Sequence, residues 1–155
     1  MHRRVGLLFL SLLVSGCGSY CAPNRHIRDR VSDSAVVGTW RLTEDSLRNA
    51  VRDGFRREPS HRYTISFNPD HTCDFASLDL FQSSYISGPC TWRLEHDVDG
   101  GARANRLRID VRPPAREFLE LDFAREDGVL ILWQYYSDPD LWQFLEYVKA
   151  HPVEK

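Results

Sequence analysis

Long apolar runs and basic charge are what this 155-residue chain has least of. Beyond Val5 to Val14, no segment stays apolar over the roughly 20 residues that a membrane-spanning helix needs, so no such helix is expected. Lysine is confined to Lys149 and Lys155, and the arginine excess is a common mark of GC-rich coding with no functional reading. Setting Arg3 and Arg4 aside with the amino-terminal segment leaves 18 basic residues against 22 acidic ones, a formal charge near −4. That balance offers nucleic acid no basic field, and no nucleic-acid partner is expected.

Chemical motifs are equally thin. No serine stands in a nucleophile-elbow pattern, and no glycine-rich loop follows a strand as phosphate binding requires. No two cysteines have zinc-ligand spacing, and His26, His61, His71, His96 and His151 are scattered singly, so no metal is expected. Asp97, Asp99 and Gly100 lack the remaining ligands of a calcium loop and read as a solvated turn. Glu120 and Asp122 share one strand face, most simply the solvated one, while Asp138 and Asp140 flank Pro139 as turn makers. These residues name no catalytic group and no cofactor; the chain is not expected to be an enzyme.

Met1 to Gly16 reads as a processing segment, with Arg3 and Arg4 at its basic end and an apolar run too short to span. Val14-Ser15-Gly16-Cys17 resembles the bacterial lipobox, in which small residues precede a cysteine that is acylated and becomes the mature amino terminus. An ordinary signal peptide cleaved nearby is the alternative. The resemblance implies lipidation of Cys17 and a place in the bacterial cell envelope. Gly18, where an aspartate would signal inner-membrane retention, points to the outer membrane. Acyl chains anchor a protein to the membrane without a spanning helix. Residues 17–34 are polar and charged, with Pro23 and with Ile27 and Val31 as the aliphatic residues after Gly18, and read as a flexible tether. One domain, residues 35–150, follows.

The first ordered segment is Val36 to Leu42. Val36, Trp40 and Leu42 alternate against Val37, Thr39 and Arg41, the period of a half-buried strand, and Gly38 leaves room for a close approach, with Trp40 the obvious ring. Thr43 to Ser46 supplies capping oxygens and early negative charge for a short helix carrying Leu47, Ala50 and Val51 and ending at Gly54. Its narrow apolar stripe suits a helix lying against a sheet or across a barrel mouth. Strands are then predicted from His61 to Asn68, Thr72 to Leu78, Cys90 to His96, around Leu107 to Val111, around Leu119 to Phe123, and from Val129 to Tyr136. The last is apolar almost throughout, as expected of a strand covered on both faces or lining a cavity. Asp79 to Gly88 is predicted to be a loop. Leu141 to Lys149 suits a helix capped by Asp138 and Pro139 about as well as a strand.

Several separated pieces match one pattern: Gly38-Thr39-Trp40-Arg41-Leu42 with Thr43 to Arg48, Ile65-Ser66-Phe67-Asn68-Pro69-Asp70-His71-Thr72, Thr91-Trp92-Arg93-Leu94, and Ser137-Asp138-Pro139-Asp140 with Glu146 to Lys149. Together they resemble an uncharacterised group of bacterial lipocalin-like lipoproteins. The resemblance implies an all-β fold, an antiparallel up-and-down barrel of about eight strands with one short helix after the first strand. It also implies that Leu141 to Lys149 is the closing strand. His71 stands where that pattern has glycine, which calls for a left-handed backbone there.

Export permits disulfides. With Cys17 acylated, Cys73 and Cys90, on consecutive strands near a shared loop, are the favoured pair, against a bridge to Cys21 or free thiols. Two functions follow. The first is a non-catalytic envelope protein holding a small apolar or amphipathic ligand in or at the mouth of the barrel, with Trp40, Tyr63, Phe75, Trp92, Trp133 and Tyr135 as the binding side chains. The second is an inhibitor-like module that captures another envelope protein through Phe81, Tyr85 and Ile86 on the 79–88 loop.

Overall fold

A computed structural model describes residues 27, 29–79, 84–98, 103–111, 118–135 and 144–150. Eight strands form one closed antiparallel barrel in which each pairs with the next and the last returns to the first. They are β1 (Gly38–Leu42), β2 (Thr64–Phe67), β3 (Thr72–Asp79), β4 (Ser84–Val98), β5 (Arg103–Val111), β6 (Phe118–Glu126), β7 (Val129–Tyr135) and β8 (Phe144–Lys149). Two short helices precede and follow β1: α1 (Asp33–Val36) and α2 (Glu44–Arg52). The all-β, lipocalin-like up-and-down architecture expected from the sequence is therefore the observed one.

One hydrogen bond identifies the inner face. Ser77 on β3 and Tyr147 on β8 belong to strands that do not pair, yet their hydroxyls lie 2.8 Å apart and both residues are fully buried. That bond crosses the lumen. Period-two alternation and strand register then place Phe75 and Cys73 inside with Ser77, Ile65 and Phe67 opposite them on β2, and Trp40 opposite Ile65. On the far wall Leu107 lies between Leu94 and Leu121, and Leu132 lies between Phe123 and Tyr147. Trp40, Tyr147, Phe67, Phe75 and Phe123 are the largest fully buried side chains, and they belong to one continuous core. An eight-stranded barrel is just wide enough for such side chains to fill.

The twofold coverage predicted for Val129 to Tyr136 is present from Ile131 to Gln134, whereas Val129 is 53% exposed. Leu132 faces the lumen, while Ile131 and Trp133, on the opposite face, form a second buried cluster with Ala124, Phe144 and Val148. Ala124, Ile131 and Val148 are direct cross-strand partners on β6, β7 and β8.

Several local features differ from expectation. Val36 ends α1 instead of opening the strand, and the Trp40 indole donates to its carbonyl at 2.7 Å, satisfying a helix-end acceptor that has no partner within the helix. Gly38, at φ +128°, makes room for Lys149 and not for Trp40: a Cβ there would sit 2.9 Å from Lys149 Cε. The Lys149 ammonium donates to Ala35 O at 3.1 Å and lies 5.8 Å from the centre of the Trp40 ring. Of the segment expected to be a tether, residues 29–34 belong to the ordered structure. Val31 is buried, its N–H donates to Asn105 Oδ1, and Asn105 Nδ2 donates to Asp29 O, both at 2.8 Å. This segment covers the α1 end of the barrel.

At the other end α2 follows its predicted cap: Thr43 Oγ1 accepts from Ser46 N at 3.2 Å. Ser46, Leu47 and Ala50 are buried, whereas Val51, expected on the apolar stripe, is 41% exposed. Ser46 Oγ also accepts from Glu146 N at 2.9 Å, fastening the helix to β8. Residues 144–149 form a strand, not a helix, because Leu145 and Tyr147 are buried in alternation and the backbone completes ladders to both β7 and β1. Cys73 and Cys90 are register partners on β3 and β4 with Cα atoms 4.8 Å apart, and they form the expected disulfide. His71 takes the left-handed backbone, φ 63°, that its place in the turn demands.

Candidate binding cleft at the barrel mouth

The chain between α2 and β2 folds back over the α2 end of the barrel and leaves a cleft of about 290 Å³. Its floor is built from Leu42 at the end of β1, Leu47 of α2, and Tyr63 just before β2; both leucines are buried. The Leu42 N–H donates to Tyr63 O at 2.9 Å, which extends the β1–β2 ladder under the cleft. Tyr63 is half-buried, and its hydroxyl accepts from Glu58 N at 3.3 Å, tying the crossing segment to the floor. The volume sits at the small end of the range for ligand pockets.

The rim is charged. Arg41, Glu44, Arg57, Glu58, His61 and Arg62 surround the opening. Arg57 Nη1 meets Glu44 Oε2 at 3.2 Å, and Glu58 is engaged at 2.8 Å by Arg56 from outside the cleft. Arg41 lies opposite Thr64 across the β1–β2 ladder, on the face away from Leu42, and Arg41 and Arg62 are both exposed. The imidazole of His61 stacks on Tyr85 with centroids 3.7 Å apart and planes 12° apart, and Tyr63 meets Tyr85 edge-on at 6.0 Å. His61 Nδ1 is sealed from solvent and has no hydrogen-bond partner among the described residues.

The structure distributes the predicted binding side chains over different regions. Tyr63 lines the cleft. Trp40 and Phe75 are fully buried core residues. Trp92 lies at the α1 end, where its indole donates to Asn68 O at 3.1 Å and its ring meets Phe67 edge-on at 5.7 Å and His71 at 4.5 Å. Trp133 is on the outer face in the second apolar cluster. Tyr135 pairs with Phe144 through its backbone, and its side chain lies outside the described residues, as do Cys17, Cys21 and Phe81. Alternation in the sequence separates the two faces of a strand but gives neither depth along the barrel nor the covering of the outer face, which is why these rings do not converge.

Tyr85 and Ile86 belong to β4, paired with Leu78 and Ser77, and not to a loop. The β3–β4 hairpin is longer than predicted because Gly88 and Pro89 are accommodated within β4, Gly88 at φ 153°. Ile86 packs on the core and Tyr85 on His61 and Tyr63, so neither side chain projects freely. Glu120 pairs with Arg106 at 3.0 Å. Asp122 is buried opposite Trp133, not solvated as expected. The rim arginines carried no motif; the density of arginine and histidine from Arg56 to Arg62 was the available signal.

Among the described residues, two acid–base groups are shifted. Hydrogen bonds from the Thr72 hydroxyl and N–H hold the exposed Asp70 carboxyl below its ordinary value. Burial pushes the Tyr147 phenol up to about 12, against the smaller opposite effect of its bond to Ser77. Neither group lies in the cleft. Among the described residues, no three of His, Cys, Asp and Glu converge as metal ligands. No protein-family model, curated protein or solved structure matches this chain.

Proposed function

We propose that this protein is a non-catalytic, lipid-anchored component of the bacterial cell envelope, akin to the lipocalin-like lipoproteins, that holds a small amphipathic molecule at the mouth of its barrel. The cleft carries this reading: Leu42, Leu47 and Tyr63 offer an apolar floor beneath a charged rim, while large side chains occupy the lumen. An apolar floor with a few placed polar groups is the usual make-up of a small-molecule site. Anchoring through Cys17 at the outer membrane rests on Val14-Ser15-Gly16-Cys17 and Gly18. Native mass spectrometry of the protein extracted gently from its host membrane tests the binding reading. A bound amphiphile is the expected result. Protein that always emerges ligand-free, and takes up no amphiphile when offered one, refutes it. Cys17→Ser should move the protein out of the membrane fraction, and its retention there refutes the anchor.

A further inference from the structure

The α1 end of the barrel buries a polar side chain in an otherwise apolar row. Along β5 the inward residues are Asn105, Leu107, Ile109 and Val111, all buried, with Asn105 3% exposed. Burying a carboxamide is costly unless its donor and its acceptor are both engaged. Here both are spent on main chain: Oδ1 accepts from the Val31 N–H and Nδ2 donates to Asp29 O, each at 2.8 Å. His96 Nδ1, 3.2 Å from the same Oδ1, braces the group from β4. An N–H and the C=O two residues before it are the pair that a strand offers its neighbour, so one side chain does here what a strand edge would do. Arg30, between the two bonds, is exposed, while Val31 and the half-buried Ile27 pack on the core. Residues 29–31 thus sit on the barrel as a bound peptide does, held by main-chain bonds to one side chain and by a branched aliphatic group in an apolar socket.

We propose that the α1 end of the barrel is a peptide-binding site, filled in this structure by the chain's own residues 29–31, that takes a short segment through the Asn105 carboxamide and an aliphatic side chain in the place of Val31. Main-chain bonds supply affinity in such a site and the socket supplies specificity. The ligand class is therefore a peptide with a branched aliphatic residue that keeps its N–H, which excludes proline at that position. The chain's own segment is the resident competitor. Joined to α1 through Ser32, it meets the site at an effective concentration on the order of millimolar, so a segment from another molecule enters only by displacing it. The cleft lies at the α2 end, and the two sites stand or fall separately.

The test uses the chain from residue 17 carrying Cys17→Ser, with and without Val31→Asp, and a synthetic peptide of residues 27–33 isotopically labelled at its valine nitrogen. Val31→Asp should release the segment, because an apolar socket does not hold a carboxylate. The released chain should take up the peptide, and the labelled amide should move to the position that Val31 has in the NMR spectrum of the chain with Val31 intact. That intact chain should bind the peptide at least tenfold more weakly. Methylating the valine nitrogen of the peptide should weaken binding about tenfold, the worth of one hydrogen bond, and aspartate in place of that valine should abolish it. Asn105→Ala added to the released chain should cost more than about tenfold, since both main-chain bonds go. In the intact chain the Val31 amide should exchange with solvent by local opening, at least tenfold faster than the Ile65 amide. No uptake of the peptide by the folded Val31→Asp chain overturns the proposal. So does a Val31→Asp chain that cannot fold, or a Val31 amide that exchanges only as slowly as Ile65, since either makes the segment part of the cooperative core. Binding that survives the peptide changes and Asn105→Ala overturns recognition through the carboxamide and the socket.

Discussion

The Ser77–Tyr147 bond across the lumen gives a quantitative check on the barrel interior. Both residues are fully buried and the hydroxyls are 2.8 Å apart. Tyr147→Phe leaves the Ser77 hydroxyl with no partner across the lumen, and Ser77→Ala does the same to Tyr147; each should cost about 1–3 kcal/mol. Together the two changes remove both polar groups, so the double variant should be more stable than the sum of the singles predicts, by about 1 kcal/mol. The pH dependence follows from the same site. The folded phenol titrates at about 12 against an ordinary value of 10.0, so the folded state holds the proton where the unfolded chain releases it. Its contribution is complete below pH 10 and is lost as pH rises through 12. One unit into that window, near pH 11, the wild type should have lost about 1.4 kcal/mol more than Tyr147→Phe, with the other tyrosines cancelling between the two chains. Urea unfolding of the four proteins at pH 8 and pH 11 measures all of this. Additive single effects, within about 0.3 kcal/mol, together with identical alkaline losses in wild type and Tyr147→Phe, would refute a dry contact across the lumen.

Other consequences are simpler. Replacing Cys73 and Cys90 by alanine should cost about 3 kcal/mol, the value for a loop near 15 residues when the pair here is 17 apart, read from denaturant midpoints of oxidised protein. Gly38→Ala should cost about 1–3 kcal/mol because its φ of +128° strains any other residue. Adding Lys149→Ala should relieve the clash but not that strain, so the double variant should not return to wild-type stability. On α2, Leu47→Ala should cost about 2–5 kcal/mol and Val51→Ala less than about 0.5, since Leu47 is 3% exposed and Val51 41%; thermal melts distinguish them. Asp70→Asn should flatten acid unfolding: a depressed carboxyl stabilises above its ordinary value, 3.8, and loses that contribution as pH falls through the lowered one.

The barrel was legible because alternation survives along most strands. Ile65 and Phe67, Leu107 and Ile109, and Leu119 and Leu121 announce their faces directly. The disulfide was legible from Cys73 and Cys90 standing on consecutive strands, whereas their direct opposition comes from the β3–β4 pairing running on to Asp79 and Ser84, which the sequence did not announce. The strand nature of Phe144–Lys149 was not decidable locally, because Leu141, Leu145 and Val148 fit a helical stripe while the competing ladders come from β1 and β7, far away in sequence. The role of Gly38 depended on Lys149, which reaches it only after closure. The cleft was the least legible part. Arg41 and Arg62 are brought together by register, and Leu47 by the packing of α2; no spacing rule relates a strand end, a helix and a crossing segment.

Closure of the ring also sets the order in which the chain can finish folding. Every strand junction except one joins sequence neighbours and can form as soon as its hairpin is available. The last junction, Trp40 to Lys149 and Leu42 to Tyr147, joins the two ends of the domain. Until β8 arrives, β1 and β7 each present an unpaired row of backbone donors and acceptors, the kind of edge that recruits other chains. The slow, non-local step is therefore also the one that removes the hazard. A chain truncated before Phe144 would keep seven strands and lose the property that makes the barrel safe: it would be a curled sheet with two open sides, its Trp40 face uncovered, and prone to pair with its own copies.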